Sequence, residues 1–421
     1  MKKKGISLRI LALACALIVT ALSMTSCMLL LPEEDYMTEE EVKALISGTM
    51  SGDTTIGNVN EYEITIENNG SANLSAATKG VLSTVSIAAQ FTISYGYGGT
   101  SNATSSGAGV IYQLDKEKGD AYIITNYHVV YDVDSKTSNK ISNNINVYLY
   151  GQESSAYAIP ATYVGGAMSQ DLAILKVTGS RVLAESNACA VSFADPDDIS
   201  ILDTAIAIGN PAADGISATV GYVNVDSEYV SITAADGRSN ITLRLLRIDT
   251  AVNSGNSGGG LFNDRGELIG IVNAKITSSS IDNIAYAIPS GVVSGVAENI
   301  IRYCASTELE NPYKYSLGIT MNNSELYTEY DEETGKIHKR EVVKVDSIEA
   351  GSLASSLFEK GDVISAITVD GERYEIHRMY QVVDCMLSVF EDSELSFDIL
   401  RGGEKMTISV DISGIEPKKV V

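Results

Sequence analysis

From Ala76 to Cys304 short apolar runs alternate with clusters of Gly, Ser, Asn and Asp, the spacing of a protein built from many short strands. Val81 to Phe91 is predicted as a first strand, and Gly107 to Ile111 opens a second. Tyr95 to Ser106, rich in Gly and Ser, reads as a loop, as does the polar stretch Asp195 to Asp203. Thr204 to Ile208 and Glu267 to Lys275 are further strands. The period changes at Val292 to Tyr303, where apolar residues recur at helical spacing and close the segment. The pattern is that of an all-β double barrel.

What precedes this segment is different. Lys2, Lys3, Lys4 and Arg9 lead into an unbroken apolar run from Ile10 to Val19, the layout of an export signal. Leu22-Ser23-Met24-Thr25-Ser26-Cys27 resembles a bacterial lipobox, in which Cys27 receives the lipid. The alternative is an uncleaved anchor helix that continues through Met28 to Leu31. Either way the bulk of the chain is expected outside the cytoplasm and tethered to a membrane. Residues 28–75 read as an acidic tether, with a short helix from Thr38 to about Ile46 and an edge strand from Asn60 to Glu67.

Charge narrows the function. The 421 residues carry 30 Lys and Arg against 54 Asp and Glu, a formal net charge of −24. Such a balance repels nucleic acid and excludes a DNA- or RNA-binding role. Outside the signal and the lipobox only Cys189, Cys304 and Cys385 remain, which is neither a disulfide framework nor a metal spacing. No His-Glu-x-x-His or Cys/His cluster occurs, so neither a metal nor a cofactor is implied.

The candidate chemistry lies in Gly255-Asn256-Ser257-Gly258-Gly259. A serine between glycines can sit on a tight turn, and the Gly255 and Ser257 amides can then face one oxyanion. Gly255-x-Ser257-x-Gly259 also fits the nucleophile elbow of α/β-hydrolases, but there the acid and the histidine follow the serine. Here His338 and His377 follow it in unsuitable settings. His338 sits in a polar hairpin-like stretch and His377 near the start of a C-terminal helix. The third histidine, His128, precedes Ser257 in Thr125-Asn126-Tyr127-His128-Val129-Val130, and Asp171-Leu172-Ala173-Ile174 lies between them. The order His, Asp, Ser is that of chymotrypsin.

These three blocks, with Ala207-Ile208-Gly209-Asn210-Pro211 and Ala285-Tyr286-Ala287-Ile288-Pro289-Ser290, resemble the HtrA/Deg family of trypsin-like serine proteases that carry PDZ domains. The likeness covers roughly residues 76–415. It implies His128, Asp171 and Ser257 as the catalytic triad, with Gly255, Asn256 and Ser257 at the oxyanion hole. Ala212-Ala213 stand where the family usually has Phe-Gly. Glu308 to Pro312 reads as the linker, after which Ser316-Leu317-Gly318-Ile319, Lys360-Gly361-Asp362 and a helix from Tyr380 to Phe390 imply one small α+β PDZ domain over 312–415. Ser316, Leu317, Gly318 and Ile319 then form the loop that captures a peptide carboxylate. The implied organisation is a signal peptide (1–27), a tether (28–75), a protease domain (76–304) and the PDZ domain.

The implied activity is endopeptidase action on misfolded or damaged proteins, and the implied partners are unfolded chains and peptide C-termini. The family also trimerises through the start of the protease domain, where Phe91, Tyr95 and Tyr97 are suited to an interface; packing in their own barrel or loop is the alternative. Ala251, six residues before Ser257, Val252 and the Gly270 to Ala274 strand imply a small apolar specificity pocket. The rival reading is a non-catalytic PDZ-based chaperone or binding module.

Overall fold

The computed structural model describes residues 72–94, 99–274, 284–305, 312–413, 415 and 417–419. The signal, Cys27, both elements expected in the tether, and Tyr95, Tyr97 and Lys275 lie outside the described residues. Among those described, no helix is long and apolar enough to cross a membrane.

The first described element is helix α1 (Ala72–Ser83), which runs directly into strand β1 (Thr84–Ser94). Two expectations change here. Residues 81–83 are helical rather than the start of a strand, and the helix begins four residues ahead of the boundary drawn at Ala76. Gly80 explains the helix's place: a Cβ there would collide with Ile208 and Phe262, so the backbone lies close against the second barrel.

The first barrel comprises β1, β2 (Thr100–Asp115), β3 (Asp120–Thr125), β4 (Asn144–Leu149), β5 (Ile159–Ala167) and β6 (Leu172–Val177). It closes in the order β1-β2-β3-β6-β5-β4. Helix α2 (Tyr127–Val130) follows β3, and α3 (Arg181–Glu185) follows β6. The second barrel comprises β7 (Thr204–Gly209), β8 (Ser217–Thr233), β9 (Asn240–Ile248), β10 (Gly260–Phe262), β11 (Leu268–Val272) and β12 (Ala285–Pro289), in the order β10-β11-β12-β9-β8-β7. Residues 100–106, expected as loop, belong to β2. They pair with β1 in register from Ser94↔Thr100 to Ala88↔Ser106, and since their own side chains are small and mostly polar the backbone ladder is what holds them.

Several strands read as unbroken apolar runs because both of their faces are covered. In β6, Ala173 and Leu175 point into the first barrel while Leu172 and Ile174 point into the layer between the barrels. In β7, Ala205 and Ala207 fill the second barrel while Ile206 and Ile208 join that same layer. Helix α4 (Ser290–Cys304) completes the layer with Val292, Val293, Val296 and Ile300. Phe91 is buried in the core of its own barrel, so it presents no side chain to a neighbouring subunit.

Beyond α4, β13 (Tyr313–Lys314) pairs with β20 (Lys418–Lys419). The C-terminal domain is a sheet of β14 (Ile319–Tyr330), β15 (Ile337–Ile348), β16 (Val363–Val369), β18 (Leu395–Arg401) and β19 (Glu404–Val410). Its order is β14-β15-β16-β18-β19, with β17 (Glu372–Glu375) paired to β16. The helix expected over Tyr380 to Phe390 is shorter: α5 spans Met379–Cys385 and tightens into a 3-10 turn over Met386–Ser388. Phe358, Ile364, Ile367, Val382, Phe397 and Ile399 make this domain's own core. Among the described residues Cys304 and Cys385 are buried and Cys189 is half-buried, and none of the three is in a disulfide.

Candidate active site

His128 stands on α2, the four-residue helix that follows β3 of the first barrel. Asp171 sits just ahead of β6, the neighbour of β3 in the same barrel, and Ser257 just ahead of β10 in the second. The three residues predicted from the sequence therefore converge where the barrels meet. His128 Nε2 lies 3.0 Å from Ser257 Oγ, and His128 Nδ1 lies 2.7 Å from Asp171 Oδ2. The imidazole keeps 19% of its surface exposed, against 5% for the Asp171 side chain. Such a relay can take a proton from the hydroxyl while the carboxylate holds the ring's other nitrogen.

Asp171 is fixed from several sides. It adopts a left-handed backbone at φ 51°, sparsely populated for a residue with a side chain, and its neighbours stabilise that conformation. Its Oδ1 accepts from the His128 backbone N–H at 3.1 Å, and its carbonyl accepts from the Asn126 side chain at 2.9 Å. Asn273, fully buried at the end of β11, donates its side-chain N–H to Asp171 Oδ2 at 2.8 Å. Asn273 and Asn126 were not singled out in the sequence. The available signal for Asn273 was a lone polar residue closing the apolar run Leu268 to Val272.

The turn carrying Ser257 is positioned by close backbone approach. Gly255 has φ +101°, and a Cβ on it would strike the Asn210 carbonyl, so only glycine fits. Gly258 has φ +84°, and a side chain there would strike the Ala108 carbonyl of the first barrel. The Ala108 N–H donates to the Ser257 carbonyl at 2.8 Å, which ties the nucleophile turn across the barrel junction. Among the described residues, the buried Gly255 and Ser257 N–H groups donate to no acceptor, so both are free to meet an incoming oxyanion. Asn256 points elsewhere: its side-chain oxygen is buried and faces Gly209. The loop after Pro211 has a cost, because Ala212 and Ala213 both adopt left-handed angles, at φ 56° and 59°.

The specificity-pocket residues are placed in part. Ala251 is exposed, with its carbonyl accepting from Thr219 Oγ1 at 2.8 Å, and Val252 is half-buried. Ser316 is exposed and Leu317 buried; Gly318 has φ +79°, and Ile319 begins β14. Among the described residues β14 is an edge strand, paired with β15 alone. Neither of the other two histidines joins the His128 relay: His338 Nδ1 lies 3.3 Å from Ser200 Oγ, and burial pushes the His377 pKa down, with Arg340 adding to the effect. Among the described residues, no three His, Cys, Asp or Glu side chains are grouped to hold a metal ion.

Residues 107–271 match the family model described as a trypsin-like peptidase domain. The chain is 30% identical to the serine protease Do-like HtrA of Lactococcus lactis subsp. cremoris, over 77% of this chain and 84% of that protein. It belongs to the HtrA family of serine proteases. A second HtrA relative, from Bacillus subtilis, is 30% identical over 75% of this chain and 65% of its own length. A solved structure described as HtrA-type protease AlgW with decapeptide covers 80% of this chain and 97% of its own, at 22% identity and a TM-score of 0.47. As an HtrA protease the chain is a serine endopeptidase acting on protein substrates, and its all-β double barrel is the trypsin-like fold of that activity.

Proposed function

We propose that Ser257 is the nucleophile of this HtrA protease, His128 its general base and Asp171 the orienting acid. The observation that carries the assignment is the unbroken relay from Asp171 Oδ2 through the His128 ring to Ser257 Oγ. His128 Nε2 takes the hydroxyl proton as Oγ bonds to the scissile carbonyl carbon. The resulting oxyanion is met by the Gly255 and Ser257 N–H groups. The same imidazolium proton then goes to the leaving amine, the C–N bond breaks, and an acyl-enzyme remains on Ser257. Water, deprotonated by His128, releases the acid and restores the serine. Asn256 supplies its place in the turn rather than a donor to the hole. The support for Asp171 as acid is its burial and the donors gathered on its oxygens.

The remaining assignments rest on sequence. Export and lipidation at Cys27 place the protease at the outer face of a bacterial membrane, behind the tether of residues 28–75. The domain from 312 to 415 is assigned as PDZ, with Ser316, Leu317, Gly318 and Ile319 as its carboxylate loop. An open β14 edge beside that loop favours strand addition by a peptide tail. The substrates are unfolded or damaged proteins. Cleavage of casein by the wild type and by Ser257→Ala tests the core assignment. Loss of roughly a million-fold in turnover is expected. Equal cleavage by both would overturn it, and no cleavage by either would favour the chaperone reading.

A further inference from the structure

The hairpin of β14 and β15 has an inner and an outer half, divided by a register shift between Asn323 and Leu326. In the inner half Met321 stands opposite Val345 and Asn323 opposite Val343, and both valines are buried in the domain's core. Side chains alternate between the faces of a strand, so in the outer half Leu326, Thr328 and Tyr330 share one face with their partners Glu341, Lys339 and Ile337. That face is open: Leu326, Tyr330 and Ile337 are 70%, 63% and 51% exposed. A single exposed apolar residue is ordinary. Three on one face, beside a strand edge that is unpaired among the described residues, form a surface suited to a further strand.

Charge says what kind of strand fits. The cations of the outer half are already engaged: Lys336 reaches Asp198 at 2.9 Å and Asp203 at 3.1 Å, and Lys339 lies 3.5 Å from Asp226. Arg340 pairs across the hairpin with Glu329 at 2.6 Å. Glu325, Glu332 and Glu333, in contrast, enter no ion pair among the described residues. Two such edges laid side by side would bring like charges together, in a chain whose formal net charge is −24, so the edge repels a second copy of itself. It favours a strand that carries Lys or Arg.

We propose that the outer half of this hairpin is a docking strand for an extended substrate segment that combines aliphatic with basic residues. The segment adds to the free β14 edge, lays an apolar side chain against Leu326 or against Tyr330 and Ile337, and brings its cations to Glu325, Glu332 and Glu333. β14 is 12 residues long, which is about 40 Å from end to end. The carboxylate loop assigned above lies at its start, so a tail held there runs antiparallel to β14. Such a tail reaches the outer half only with the residues about 7 to 11 positions before its end. The inference rests on that loop assignment for its register alone; the free edge, the apolar face and the spare acids hold without it. The consequence is selection of longer tails with a second anchor upstream, which a tail of about five residues cannot supply.

The test is fluorescence anisotropy with the full chain carrying Ser257→Ala, so that peptides stay whole. Three peptides share the same last five residues, closing in Val. The first is those five alone, the second is twelve long with Leu and Lys upstream, and the third has Ser and Glu in those upstream places. The second should bind roughly 5- to 30-fold more tightly than the first, and the third no more tightly than the first. Adding the surface substitutions Leu326→Ser and Tyr330→Ser should bring the second down to the level of the first, whose own affinity stays unchanged. Equal affinity for the first and second peptides, or undiminished binding of the second after the two substitutions, would overturn the docking strand. An amidated twin of the second peptide separates the two readings. If amidation changes nothing while the two substitutions still weaken binding, the carboxylate loop falls and the docking strand stands. Sedimentation without peptide should be the same with and without the substitutions; an assembly that they abolish would give this surface to a second copy and contradict the proposal.

Discussion

Asn273 donates to the same carboxylate oxygen of Asp171 that faces His128 Nδ1, at 2.8 Å from one side while the ring stands at 2.7 Å on the other. The carboxylate is thereby held against rotation. A hydrogen bond to a charged group is worth about 1.5 to 3 kcal/mol, so Asn273→Ala should lower kcat by roughly 10- to 100-fold with little change in KM. Asn273→Asp should do worse, because it sets a second carboxylate against the first. Steady-state kinetics on a short peptide check both; an Asn273→Ala enzyme at wild-type kcat would remove Asn273 from the mechanism.

The loop after Pro211 is strained. Ala213 keeps a left-handed φ of 59° where glycine would sit freely. The Cβ penalty is about 1 to 2 kcal/mol, offset in part by the greater freedom that glycine gives the unfolded chain. Ala213→Gly should therefore stabilise the protein by about 0.5 to 1 kcal/mol. Urea midpoints measure the change, and a destabilised variant would contradict the strain.

How much of this was legible in the sequence depends on what each feature does. His128, Asp171 and Ser257 were readable because each sits in a block whose neighbours serve the same turn or strand. The barrels were readable from strands covered on both faces, such as Thr204 to Ile208. Helix α1 was not, because it docks through small residues, Ala76 and Gly80, that carry little apolar signal. The start of β2 was missed because a ladder of Ser, Thr and Ala shows no alternation. Asn273 depends on a partner 102 residues away, which no local pattern reveals.

Cleavage preference follows from Ala251. A pocket without a counter-charge disfavours Lys and Arg, since burying an unpaired cation is costly. Sequencing of products from a denatured protein should show cuts after Val, Ala and similar aliphatics. Ala251→Asp should add cleavage after Arg and Lys. Dominant cleavage after Arg by the wild type would show that the pocket lies elsewhere.

Asp384 gives a pH signature. Burial pushes its pKa up to about 6, Arg244 pulls it back and Asp197 adds to the rise, while Tyr229 and Cys385 feel its charge in turn. A folded pKa above the unfolded value of 3.8 means that the folded protein binds the extra proton between these limits. The contribution of this group is therefore most favourable below pH 4 and declines as pH rises through 6, then stays level. Asp384→Asn removes that decline. The stability difference, wild type minus variant, should fall between pH 4 and 6 in urea titrations. A difference that is constant or rises over that window would contradict the assignment.

The most direct measurement of the catalytic assignment is mass spectrometry of the intact chain after treatment with a fluorophosphonate probe, which reacts only with an activated serine. One probe per chain, mapped to the peptide that contains Ser257, is the expected result, with none on Ser257→Ala and little on His128→Ala. An unlabelled wild type, or equal labelling of Ser257→Ala, would contradict it.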